Sequence, residues 1–297
     1  MTWMLQSLLS FSKNVSDISP LNLFTGLLVL AIASVIYTEK LRIPLTGYWS
    51  LVPPLFMILN PYLAQCILYS YDSLTILIAF AVALVASLQW RPAGGQQFIS
   101  DVLLLVIVMV LYQSGLNVFI AGVALMIVSR VGNGQPVWHW LSGKVTALLV
   151  AVFIYKFAIS MPLIPASDTY SMRHNQLLMP GSGALDVLTG SVQRYYSLFI
   201  SAYPGWTAGF ALIPLILGTV ALGVVVCRLH QRRPHNAGLL LLMVISLSVA
   251  VGAVAGLSLL LAIPVFAPRM LAAWGVTVLF CFFISVQAWP ALRHWLA

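Results

Sequence analysis

An all-α, polytopic bundle of transmembrane helices is the fold this sequence predicts, on three observations. Of its 297 residues 61% are hydrophobic and only 7% charged, whereas a soluble domain carries roughly 25% charged residues. The apolar residues fall in charge-free runs of the length a bilayer needs, about 20 residues per helix. The 14 Lys and Arg, against 6 Asp and Glu, are spread along the chain without a dense tract, as control of topology in a bilayer requires. A soluble globular enzyme, a disordered chain and a disulfide scaffold are thereby excluded. The surplus of +8 gives no reason to expect nucleic acid. Cys66, Cys227 and Cys281 are odd in number and far apart, so neither a disulfide framework nor a metal spacing can be drawn from them.

The chain reads as a single integral membrane domain over residues 1–297, and its elements follow in order. Residues 1–11 lack the basic start and small-residue cleavage site of a signal peptide. Their apolar spacing (Trp3, Leu5, Leu8, Leu9) suits a helix lying along the membrane interface, and residues 1–20 read as an outer interfacial segment. Apolar spans are expected at 21–38, 43–65 and 73–90. Residues 98–131 are too long for one ordinary span and short for two, with a polar interruption, Tyr112-Gln113-Ser114-Gly115-Leu116-Asn117, near the middle. We read two short helices whose apex lies below the membrane surface, since a polar turn at that depth is tolerated where it lines a protein cavity. One long tilted helix is the competing reading. Further spans are expected at 137–160, 206–228, 237–263 and 270–289, with an outer loop at 161–205 and a basic loop at 229–236.

Charge arbitrates between the two readings of 98–131. Arg228, Arg232 and Arg233 form the densest basic cluster and belong in the cytoplasm. Counting back through a hairpin puts Lys40, Arg42, Arg91 and Arg130 on the same side, whereas a single helix would move the first three outside. The hairpin therefore wins, giving about nine spans, an outer N-terminus and a cytoplasmic C-terminus. Trp49, Trp90, Trp138, Trp140, Trp206, Trp274 and Trp289 then fall at or near span ends, as an aromatic belt requires.

With this topology the polar groups gather on the outer face. Asp17, Asp72, Asp168 and Asp186 are four of the six acids, and all lie there. So do Asn60-Pro61-Tyr62, Tyr69-Ser70-Tyr71-Asp72-Ser73, Gln113 and Asn117 at the apex, Arg173, His174 and Arg194 in the loop, and Arg269 at the start of the last span. Ionisable groups near membrane depth are costly and point to function. Each also has a plainer role open to it. Asp17 and Asp72 are placed to cap helices, the tyrosines to anchor at the interface, Lys156 to snorkel, and Arg173 and Arg194 to be solvated. Asp101 and Lys144 lie toward the other face and read as structural. Gly252 and Gly256 make a small-xxx-small pair suited to close helix approach. No histidine pair has metal-ligand spacing, and no glycine-rich loop has the context of a nucleotide site.

Several of these runs together resemble a known family. Asp17-Ile18-Ser19-Pro20-Leu21, Asn60-Pro61-Tyr62, Tyr69-Ser70-Tyr71-Asp72-Ser73-Leu74, Leu111-Tyr112-Gln113 with Asn117, and Tyr155-Lys156 occur in that order. The pattern resembles the serotype-converting O-antigen glucosyltransferases of bacterial and prophage Gtr operons, polytopic inner-membrane enzymes of the broad GT-C type. The resemblance is carried by residues 1–160; beyond them the hydropathy and the outer loop agree.

The resemblance implies transfer of glucose from undecaprenyl-phosphate glucose to lipid-linked O-antigen at the periplasmic face of the inner membrane. It implies partners as well: the lipid-linked donor, the O-antigen acceptor, membrane lipids, and a bactoprenol glucosyltransferase and a flippase of the same operon. Such chemistry needs a carboxylate to take the acceptor proton and cations to meet the departing phosphate. Asp72 and Asp17 are the catalytic candidates. Asn60, Tyr71, Gln113, Asn117, Lys156, Arg173 and Arg194 are the binding candidates. No metal ligand set is expected, and whether a divalent cation takes part is left open. Family members carry an acidic pair on an outer loop after an upstream span, and no Asp-Asp or Asp-x-Asp occurs here, so a shortened and inactive form is one expectation. A non-catalytic subunit or remnant that binds the lipid carrier is the alternative. A transporter or flippase fits less well, because the charges favour one face.

Overall fold

The computed structural model describes residues 20–43, 45–68, 72–90, 94–161, 176, 178–179, 181, 183–232, 237–289 and 291. Among them every regular element is helical. Six helices are long and apolar enough to cross a membrane: Leu21–Leu41, Gly115–Gly132, Trp138–Ser160, Gly205–Gln231, Ala237–Leu260 and Pro268–Ala288. Three shorter apolar helical stretches, Gly47–Ile58, Ser73–Ser87 and Gly95–Leu111, accompany them. A membrane bundle is thus what the chain forms; among the described residues six helices have the length of a full span, which does not confirm the expected count of about nine.

We number the α-helices in chain order: α1 (Leu21–Leu41), α2 (Val52–Ile58), α3 (Leu63–Leu68), α4 (Ser73–Ser87), α5 (Gly95–Leu111), α6 (Gly115–Gly132), α7 (Trp138–Ile154), α8 (Ala184–Ser201), α9 (Ala208–Arg232), α10 (Ala237–Ala255) and α11 (Trp274–Ala288). Helix α4 is the axis of the first half. Its sequence, SLTILIAFAVALVAS, is apolar all round, and nearly all of it is buried, as a helix without a polar face must be. Helix α1 lies parallel to it. Near one end Gly26 sits so close to Leu77 that a Cβ would come within 2.8 Å of its Cδ1. Near the other, the Tyr37 hydroxyl donates to Gly122 O of α6 at 2.7 Å, beside Ser87 of α4.

The segment 43–65 departs most from expectation. A 3₁₀ turn (Gly47–Leu51), α2 and α3 replace one continuous span. The cause is in the sequence: Pro53-Pro54 can stand only in the first turn of a helix, and Asn60-Pro61 breaks the run again. The break within 98–131 falls where the sequence places it, α5 and α6 being joined by Tyr112-Gln113-Ser114, but only α5 is short; α6 is long enough to cross a membrane. A Cβ on Gly115, just past the joint, would lie 3.3 Å from Ala79 O. Ala79 follows Ser73 by six residues, about 9 Å of helix, so the apex sits well below the end of α4.

Helices α9, α10 and α11 close the bundle. Helix α10 packs on α6, and α9 on α11, where Gly218 lets Cys281 approach. The loop expected at 161–205 contains a helix, α8, and the basic loop expected from 229 starts only after α9 ends at Arg232. Tryptophans 49, 90, 138, 206, 274 and 289 stand at helix ends as expected. Outward, α1 presents Phe24, Leu28 and Ile32, α5 presents Leu103 and Ile107, and α9 presents Phe210, Ile213, Ile216 and Val220 to the surroundings. An apolar exterior on this scale is a surface for lipid.

The molecule thus has two ends. One, the apex end, holds Tyr112–Asn117, the start of α4 and the 3₁₀ turns Gly256–Leu260 and Pro268–Leu271. The other, the basic end, holds Lys40, Arg42, Arg130 and Arg228.

Candidate functional site

The apex end is organised around the stretch between α10 and α11, residues 256–273. Gly256 opens it at φ +57°, a left-handed conformation that favours glycine, and its Cα faces the Asn117 amide so closely that no side chain could replace its hydrogen. Asn117 accepts from the Leu257 N–H at 3.1 Å and donates to Met270 O at 3.4 Å. Asn60 donates to Ala272 O at 2.7 Å while accepting from the Tyr62 N–H at 3.1 Å. Each of these amides therefore binds backbone: they fasten the 256–273 stretch to α6 and to the α2–α3 break, positioning what that stretch carries. Gly252, expected to act with Gly256 in helix contact, faces open space.

What the stretch carries is Arg269. Its Nε donates to the Tyr112 hydroxyl at 2.9 Å, and its backbone N–H donates to Gln65 Oε1 of α3 at 3.0 Å. The Tyr112 ring stacks edge-on against Phe80 of α4 at 6.0 Å. The guanidinium thus rests on the tyrosine of the hairpin joint, and the Arg269 backbone is tied to α3. Beside it, Gln113 donates to the Tyr155 hydroxyl at 2.8 Å, tying the joint to the end of α7. There the helix widens into a π turn, Tyr155–Ser160, with Met161 N–H donating to Lys156 O. Such turns are uncommon and concentrate at functional sites. Lys156 is exposed on it.

Asp72 stands immediately before α4, at the same end. Its carbonyl accepts from Ile76 N–H and from the Thr75 hydroxyl, but its carboxylate makes no capping bond to the first turn. Capping, the plainer role the sequence allowed, is therefore not what the side chain does. Helix α8 completes the end. Tyr195 donates to Val265 O at 2.9 Å, Tyr62 to Phe199 O at 2.6 Å, and Trp274 Nε1 to the Tyr203 hydroxyl at 2.9 Å. Burial pushes the Tyr195 and Tyr203 phenols above their usual range. Arg194 lies exposed with its guanidinium over the Phe266 ring at 5.4 Å.

Of the candidates read from sequence, Asp72, Asn60, Gln113, Asn117, Lys156 and Arg194 all lie at this end. Asp17, Tyr71 and Arg173 fall outside the described residues. Sequence reasoning placed Arg269 on this face without choosing it. The available signal was a lone arginine in the long apolar stretch 237–289, where a cation at membrane depth implies a partner. Among the described residues no three His, Cys, Asp or Glu side chains gather closely enough to hold a metal ion.

What this end gathers is a carboxylate that does not cap its helix, with guanidinium and ammonium groups of the kind that can meet a phosphate. Comparison with known proteins points the same way. The family model described as glucosyl transferase GtrII matches residues 3–288. A 55.3 kDa uncharacterized protein in the gtrB 5′ region of Salmonella phage P22 is 27% identical over 205 residues, 67% of this chain and 41% of that protein. The chain thus spans well under half the length of that relative. No solved structure matches it.

Proposed function

The chain belongs to the glucosyl transferase GtrII family, and on that premise we propose that it transfers glucose from undecaprenyl-phosphate glucose to a hydroxyl of lipid-linked O-antigen. The site is the apex end, facing the periplasm across the inner membrane, with the basic end in the cytoplasm as the positive-inside rule requires. The observation that carries this reading is the convergence of Asp72, the Tyr112–Arg269 pair and the Gln113–Tyr155–Lys156 corner at one end of the bundle.

In the proposed reaction the Asp72 carboxylate takes the proton of the acceptor hydroxyl as its oxygen bonds to C1 of glucose. The bond from C1 to the phosphate oxygen breaks, and its electron pair leaves with undecaprenyl phosphate. Arg269, fixed before the reaction by Tyr112 and Gln65, and Lys156 meet the charge that develops on the phosphate; preorganised groups of this kind are each worth about 10²–10³ in rate. Gln113 and the exposed Tyr196 offer bonds and a ring face to sugar. Asp17, Tyr71 and Arg173 join the site on sequence position, and Arg194 lies at its rim. The donor already carries its activating phosphate across the membrane, so a flippase and a bactoprenol glucosyltransferase act before this step.

The test is lipopolysaccharide analysis in cells expressing the chain with its operon partners. Asp72→Asn should abolish glucosylation while the protein remains in the membrane, because a positioned base contributes about 10²–10⁴. Glucosylation unchanged by Asp72→Asn would remove that residue from the reaction. Glucosylation that never depends on this chain would leave a non-catalytic role in binding the lipid carrier.

A further inference from the structure

The basic end holds a second polar feature that glucosyl transfer does not use. A cleft of about 480 Å³ opens there, lined by Lys40, Arg42, Arg130, Gln89, Trp90 and Gln135, among other residues. The three cations come from two elements: the last turn and C-cap of α1, and the last turn of α6. No acidic residue lines the cleft among those described. Arg130 is the informative one. It is 8% exposed, yet its bonds go only to neutral acceptors, Gln89 Oε1 at 2.7 Å and Pro136 O at 3.2 and 2.8 Å. Those bonds use three of its five N–H groups. The other face of its guanidinium rests on the Trp140 ring at 5.0 Å. A buried cation without a counter-charge is costly, and helix C-terminal dipoles explain a basic residue in each last turn but not the convergence of three in one cleft. Lys40, over the Trp90 ring at 5.7 Å, and Arg42 stand exposed at the rim.

A second cleft, of about 550 Å³, shares Gln135 and Pro136 with the first. Apart from Gln135 and His139 its lining is apolar, with Trp138, Leu229, Leu239 and Leu240 from α7, α9 and α10. A cationic cleft and an apolar slot on either side of one turn match the two parts of a phospholipid. We propose that the basic end binds an anionic phospholipid of its own leaflet, the phosphate against Arg130, Lys40 and Arg42 and an acyl chain in the slot beside Leu239 and Leu240. This site is independent of the glucosyl-transfer reading and stands if that reading fails.

The test is native mass spectrometry of the full chain, purified in detergent and titrated with dioctanoyl phosphatidylglycerol, dioctanoyl phosphatidylcholine or inorganic phosphate. Phosphatidylglycerol should bind tightest and saturate at one molecule. Lys40→Gln and Arg42→Asn, both at exposed positions and the latter suited to the left-handed φ of 54°, should each weaken it about five-fold, the value of one basic group near an anionic surface. Leu240→Gln should weaken it while leaving inorganic phosphate unaffected. Unchanged thermal midpoints would show that the variants fold. Equal binding of the two lipids, or no effect of Lys40→Gln with Arg42→Asn, would overturn the charged site. Inorganic phosphate binding as tightly as phosphatidylglycerol would overturn the lipid in favour of a free anion.

Discussion

Two polar clusters, the Lys144–Asp101 pair near the basic end and the groups of the apex end, are satisfied in different ways. At the basic end Lys144 Nζ binds Asp101 Oδ1 at 2.8 Å, Ala86 O at 2.7 Å and Leu88 O at 2.6 Å, with the pair's side chains 2% and 3% exposed. Gln97 adds a second contact to Asp101 and also receives the Trp90 N–H. These bonds clamp α4, α5 and α7 together. At the apex end Asn60 and Asn117 close on backbone, Arg269 Nε meets the Tyr112 hydroxyl, and Lys156 is exposed. The first cluster clamps helices together; the second holds Arg269 in place through Tyr112 and Gln65 at the end of the bundle.

This contrast yields graded expectations. The largest concerns the clamp. Lys144→Met leaves the Asp101 carboxylate buried without its counter-charge and should cost about 3–5 kcal/mol, read as a lowered unfolding midpoint in detergent. Adding Asp101→Leu should recover most of the loss; if the double variant is no better than the single, the pair is not the clamp. Next is Arg269→Gln, which should lower glucosylation about 10²-fold, equivalent to roughly 2.7 kcal/mol of transition-state stabilisation, with little change in the unfolding midpoint. A midpoint shift matching that of Lys144→Met would make the two ends alike and erase the contrast.

Gly256→Ala ranks third. It forces an alanine into a left-handed φ and onto the Asn117 amide, and about 1–3 kcal/mol of stability should be lost. Asn117→Ala in the same protein should relieve the steric part. The smallest effect belongs to Tyr195→Phe, which removes one bond to Val265 O and about 1 kcal/mol. Burial raises the Tyr195 and Tyr203 phenols in the folded state, so their contribution should be complete below the free phenol value of about 10. It should be lost as pH climbs through the raised values. Unfolding midpoints at rising alkaline pH, compared between wild type and Tyr195→Phe, check the sign.

How far the sequence reveals this arrangement depends on the kind of signal. Long apolar runs and the sidedness of arginines were enough to find the bundle and to split 98–131 into α5 and α6, because the polar joint Tyr112-Gln113-Ser114 cannot sit in lipid as a straight helix. The run 43–65 reads as one span because it carries no charge, but Pro53-Pro54 and Asn60-Pro61 forbid a continuous helix. Asn60 and Asn117 were legible as unusual polar residues but not as fasteners, since their partners, Ala272, Leu257 and Met270, lie more than a hundred residues away in sequence. Arg269 was hidden for the same reason: its meaning depends on Tyr112 and Gln65, which only the folded chain brings to it.

The π turn at Tyr155–Ser160 has a consequence for tolerance to deletion. Its bonds reach one residue further than an α-helix's, so that turn contains one residue more than the geometry of α7 requires. Removing a single residue from it, Ala158 for instance, would let the turn contract to ordinary spacing while the chain on either side kept its orientation. The same deletion within Trp138–Ile154 would rotate everything beyond it by about 100° and turn Tyr155 away from Gln113. The widened turn is thus a built-in spare residue, and shortening the chain there changes where Lys156 points without unseating the helix that bears it.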